Sequence, residues 1–137
     1  MKQPPTERER AIAQRRAEGG TFHRIGKEFG FTPVLQHVTE GWKVAGEIAT
    51  SGAPCSIILV DSPGGKLEAM DLSLETGAAL EKAGVLTGFH TDDYITDSRL
   101  FLRSAGLAVR GGMSRDKALY ALPMARARML RLESHTC

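Results

Sequence analysis

His37, Asp61, His90 and Asp92 are the residues of this 137-residue chain whose types and places could do chemistry. Each closes a short apolar run, "TPVLQH", "PCSIILVD" or "VLTGFHTD". Imidazole nitrogen and carboxylate oxygen both suit zinc at about 2.0–2.2 Å. A carboxylate beside a bound cation can also take the proton of an attacking water, because the cation brings that water's pKa toward neutrality. Side chains alternate along a strand, so His90 and Asp92 share a face if the strand runs through both. His37, ending a neighbouring strand, is a further donor, although a lone strand-end histidine is more often a hydrogen-bonded surface residue. Asp61 precedes Ser-Pro-Gly-Gly, where turn chemistry competes with a site role. Asp93 reads as a loop residue, and Asp97 or Ser98 as the start of the next helix.

Three strands and the segments between them must position these groups. The β-forming runs span 32–37, 54–61 and 85–92. Helical spacing appears over 40–52, with Trp42, Ala45, Ile48 and Ala49 on one stripe and Gly52 as a stop. It returns in the second half of 67–84, stopped by Gly84, and over 97–112 with Phe101, Ala105, Ala108 and Val109 on one face. Ser114 caps a further short helix, and 125–130 adds another turn or two. Near the start, Thr6 caps a polar helix ended by Gly19-Gly20, with Arg and Glu interleaved as on a solvated face. Strand and helix in alternation predict βαβ units and a parallel sheet covered by helices. Parallel strands put all their C-terminal ends on one side, the edge where α/β folds bind ligands. So few strands leave an unpaired edge, which invites self-association.

Composition narrows the function. The chain is 42% hydrophobic and 25% charged, ordinary for one globular domain or part of a larger one. A net charge of +2 argues against a nucleic-acid partner or an anionic membrane surface. No apolar run approaches the roughly 20 residues that span a bilayer, and the N-terminus has no apolar signal core. Cys55 and Cys137 lack metal spacing, and Cys55 reads as a small buried strand residue. A cytoplasmic setting is expected. "SPGGK" lacks the spacer and the following Ser/Thr of a phosphate loop, so its glycines serve a turn. His23 is expected to face solvent on a helix.

The stretches "LQHVTEGWKVAGEIATSGAP", "DSPGGKLEAMDLSLETGAALEKAGV", "FHTDDYITDSRLFLRSAGLAVRGGMSRDKAL" and "ARML" resemble the C-terminal half of a metal-dependent amidohydrolase, and more narrowly the imidazolonepropionase-like branch. The resemblance runs from about Ile25 to Leu132. It divides the chain into an atypical N-terminal helical segment (1–24), a barrel part (25–132) and a tail (133–137). It implies an α/β fold, a partial (β/α)8 TIM barrel whose three strands stand as the sixth to eighth. It implies a divalent metal, usually zinc, at the barrel mouth, and hydrolysis of a C–N bond other than a peptide bond in a small-molecule substrate. By the same resemblance His37 and Asp92 are metal ligands, Asp92 is also the catalytic proton acceptor, and His90 is a pocket residue near the substrate; Asp61, from its place at a strand end, is a further substrate-binding candidate. The family's first-strand His-x-His pair, its fourth-strand Lys or Glu and its fifth-strand histidine are absent. The expectation is therefore a fragment that binds zinc weakly and has little or no activity alone.

Two other expectations stand beside it. A small self-sufficient α/β module would bind Mg²⁺ or accept a phosphoryl group at Asp61 or Asp92. A non-enzymatic subunit would complete a barrel with another chain.

Overall fold

The structure is a computed structural model, and it describes residues 4–59, 70–93, 95–132 and 134. The chain divides into two compact units, Met1–Pro33 and Val34–Cys137.

The first unit is a helical pair, α1 (Glu7–Ala17) and α2 (Phe22–Phe29). Thr6 caps α1, as the sequence predicts, and does so in a reciprocal capping box with Glu9. That hydrogen bonding holds the Glu9 carboxyl below its ordinary pKa. No residue of α1 is buried, so its alternating Arg and Glu do form a solvated surface. Arg8 donates to the Phe29 carbonyl at 2.6 Å and Arg15 pairs with Glu28 at 2.9 Å, tying the two helices together. His23 lies exposed on α2.

The second unit holds the sheet. Strands β1 (Leu35–His37), β2 (Cys55–Ile57) and β3 (Thr87–Phe89) pair in parallel in the order β1-β2-β3. Leu35, Cys55 and Thr87 are in register, as are His37, Ile57 and Phe89. Gln36, Ser56 and Gly88 therefore form the opposite face of the sheet. The strands are shorter than the sequence predicts. The predicted strand 85–92 ends at Phe89, and Asp92 lies beyond it in a turn.

The first face of the sheet packs on helices α3 (Ala45–Ser51), α4 (Thr76–Lys82), α5 (Phe101–Arg110) and α6 (Arg115–Ala121). Cys55, Ile57, Leu80, Phe89 and Ala108 are fully buried there. Burying Ile57, Leu80 and Phe89 contributes ~1.5–3 kcal/mol for each side chain. The predicted helix over 40–52 begins instead as a 3₁₀ turn at Gly41–Lys43, and Trp42 stays partly exposed, donating from Nε1 to the Asp71 carbonyl at 3.0 Å. On α5 the buried residues are Ser104, Ala105 and Ala108, while Val109 is exposed. The last helix, α7 (Met124–Met129), lies against the second face. A Cβ on Gly88 would meet Arg126 Cγ at 3.0 Å and Met129 Cε at 3.5 Å, so the glycine admits α7 close to the strand. Among the described residues no helix is long and apolar enough to cross a membrane.

Candidate functional site

Each polar group sits where its strand stops. β1 stops at His37, where the Val38 N–H donates to the Gln36 carbonyl at 2.9 Å across a backbone with φ 67° at His37. This is a γ-turn with positive φ, a rare and strained form. Val38 follows at φ 48°, costly for a β-branched residue. After β3 the chain turns at Asp92, also at φ 48°, and the turn is closed by Ile95 N–H to the Asp92 carbonyl (2.9 Å) and Thr96 N–H to the Thr91 carbonyl (3.0 Å). His37, at the end of β1, and Asp92, in the turn after β3, thus both stand on left-handed backbone. Such strain, of order 1–3 kcal/mol per residue, concentrates at functional sites.

The two turns bring the side chains together. His37 Nε2 lies 3.8 Å from Asp92 Oδ2, with about half of each side chain exposed. A contact so open to water contributes little to stability. The His37 and His90 rings meet edge to face with centroids 5.0 Å apart. His90 is anchored by its backbone, whose N–H donates to the Ile57 carbonyl at 3.0 Å, and by Ser56 Oγ at 3.0 Å from Nδ1. Its Nε2 is buried without a hydrogen-bond partner. Partial burial pushes the His90 pKa below its ordinary value, with His37 and Arg126 adding to the shift and Asp92 opposing it.

Two ligands of one tetrahedral zinc at ~2.1 Å stand ~3.4 Å apart, so the His37–Asp92 spacing suits two positions of one cation with slight closure. The donor chemistry, imidazole and carboxylate, also suits it. Beyond this pair, the described residues include no group of three or more His, Cys, Asp or Glu placed to hold a metal ion. The fit is therefore to part of a coordination shell.

The structure brings together three of the four residues picked out in the sequence: His37, His90 and Asp92. Asp61 lies outside the described residues. Asp97 caps the 3₁₀ turn Ser98–Leu100 that leads into α5, accepting from the Arg99 backbone N–H at 2.9 Å. Two contributors escaped the sequence reading. Ser56 was a polar break in an apolar strand, on the face that carries His90, and that interruption was a usable signal. Arg126 had none, because α7 delivers it from far along the chain. Arg126, Gln36, His90, Asp92, Ser98 and Phe101 surround an open cavity of about 370 Å³.

No family model matches the chain, and no curated protein matches it. Among solved structures it is similar to an amidohydrolase from Thermotoga maritima MSB8, with 34% identity and a TM-score of 0.72 over 80% of this chain. The chain spans 29% of that protein's length. The similarity, with three parallel strands flanked by helices, makes this an α/β chain with an amidohydrolase-like fold that corresponds to part of a barrel.

Proposed function

We propose that this chain carries part of the metal-bearing mouth of an amidohydrolase-type enzyme, of the imidazolonepropionase-like branch, that hydrolyses a C–N bond other than a peptide bond in a small molecule. The observation that carries the proposal is the convergence of His37 Nε2 and Asp92 Oδ2 at 3.8 Å from two separate strand ends, each on strained backbone. The similarity to an amidohydrolase supports the class of reaction.

His37 and Asp92 would hold a divalent cation, zinc by donor type. When bound, such a cation supplies Lewis acidity and makes a coordinated water more acidic. The residues do the rest. Asp92 accepts the proton of the attacking water and can pass it to the leaving nitrogen. His90, its ring held by Ser56 and its Nε2 buried without a partner, is proposed as a pocket residue near the substrate. Asp61 is proposed as a further pocket residue. A cytoplasmic setting and a complementing chain that supplies the remaining ligands complete the proposal. Alone, the chain has little or no activity.

Metal analysis after dialysis against zinc tests this. The expected result is weak binding, lost on extended dialysis, with no turnover of a cyclic amide. Stoichiometric zinc together with turnover overturns the expectation of an incomplete centre. No zinc-dependent change at His37 or Asp92 at millimolar metal overturns the centre itself.

One observation favours a second reading, a small self-contained α/β binding module. α7 already covers part of the sheet's second face, through Arg126 and Met129 against Gly88. A monodisperse monomer that melts cooperatively and binds no zinc supports the module over the partial enzyme.

A further inference from the structure

The cavity beside Asp92 has a cation that the proposed hydrolysis does not use. Arg126 is half-buried on α7, and its Nε donates to the Leu122 carbonyl one turn back at 2.6 Å. Its guanidinium carbon stands 4.5 Å from the centre of the Phe101 ring. These two contacts fix the plane of the fork. Among the described residues no carboxylate pairs with it, and its two terminal nitrogens have no acceptor. A half-buried guanidinium with a fixed plane and vacant donors is organised to receive a planar anion in two parallel hydrogen bonds.

A second, independent feature holds the arginine there. Gly88 lies within β3, where a glycine weakens the strand. Its missing Cβ is what gives the Arg126 stem room, since a methyl there would stand 3.0 Å from Cγ. The strand thus carries a destabilising residue at the place where Arg126 crosses it. The cavity, about 370 Å³, is also lined by Ser98 and Gln36, residues whose side chains can complete an anion's hydrogen bonding. Asp92 on the same wall disfavours a dianion through like-charge repulsion. A monoanion is tolerated better.

We propose that Arg126, stacked on Phe101 and admitted by Gly88, forms a binding subsite for the carboxylate of a small monoanionic ligand. Its carboxylate lies on the guanidinium fork, and its remainder extends across the cavity toward Asp92 and His90. That the remainder carries the scissile C–N bond rests on the hydrolase reading. The carboxylate subsite does not.

The test uses the full chain in EDTA, with N-acetylglycine as probe and its uncharged amide as control, at matched ionic strength. Backbone amide shifts of Ser98, Phe101 and Arg126 are followed by NMR. N-acetylglycine is expected to bind saturably and at least about tenfold tighter than the amide, as for a charge-assisted pair. Arg126→Met removes that preference. Arg126→Lys keeps the stem and the charge, and so the packing, but loses the fork and weakens binding severalfold. Gly88→Ala, which displaces the stem, weakens it as well. Equal binding of acid and amide overturns the subsite, as does unchanged binding by Arg126→Lys and Arg126→Met, or tighter binding of inorganic phosphate. Zinc-dependent binding that ignores Arg126 overturns the subsite and leaves the metal centre standing. Arg126-dependent binding in a chain that takes no zinc establishes the subsite while the metal centre fails.

Discussion

At the residue scale, His37 and Asp92 are where strain and chemistry coincide. Both have positive φ, and both carry side chains able to ligate a cation. Residues chosen only for folding would favour glycine or asparagine there. Asp92→Gly is therefore expected to stabilise the chain by about 0.5–1 kcal/mol in urea unfolding while weakening whatever zinc binding the wild type shows. Loss of stability in this variant would remove the evidence that Asp92 is kept for its carboxylate. The residue types were legible without a structure. The left-handed backbone was not, because neither histidine nor aspartate reveals its φ in isolation.

At the element scale, short capped helices hold the strand ends in place. α6 depends on Ser114, whose Oγ accepts from the Lys117 N–H at 3.4 Å while its own N–H and Oγ donate to Glu81 of α4 at 2.8 and 2.6 Å. One side chain thus both starts a helix and joins two. Ser114→Ala is expected to cost about 1–2 kcal/mol, above an ordinary cap loss, because Glu81 loses its hydroxyl partner too. A double-mutant cycle with Glu81→Gln should show coupling, and strictly additive effects would refute the joint role. The caps at Thr6, Asp97 and Ser114 were readable in the sequence, since a cap is chosen by residues within one turn of itself. Strand length was not. β3 ends at Phe89 because its pairing with β2 ends there and the turn through Asp92 begins, a decision made by the neighbouring strand.

At the scale of the whole molecule, Cys55 reports on global opening. It lies in the middle strand with no exposed surface, and burial pushes its thiol from an ordinary 9.0 up to about 11. Above pH 9.0 the unfolded chain releases this proton while the folded chain keeps it. The unfolded state then binds fewer protons, so stability falls as pH rises, by up to ~1.4 kcal/mol per pH unit until the folded pKa is reached. Unfolding free energy measured between pH 8 and 11 should show this slope in the wild type, and Cys55→Ala should flatten it. An unchanged slope in the variant would place the thiol in water. Among the described residues, the buried core that shelters Cys55 runs from Ile48 to Leu122, with Val38 and Ala45 packed against it, all within the second unit.

By itself, the sequence determined the alternation of strand and helix, the parallel sheet, the helix caps and the polar residues at the strand exits. These follow from hydrophobic period and from chemistry within a few residues, so the chain's local order suffices to specify them. It also carried the resemblance to an amidohydrolase, and the T. maritima structure supports an amidohydrolase-like fold. Only the tertiary structure decided that His37 and Asp92 meet at 3.8 Å, that Ser56 rather than a carboxylate holds His90, and that Arg126 crosses Gly88 into the same cavity. Those contacts join residues far apart in the chain. Their geometry depends on strand register, on backbone strain at two turns and on which face α7 covers, quantities that packing sets and no local pattern encodes.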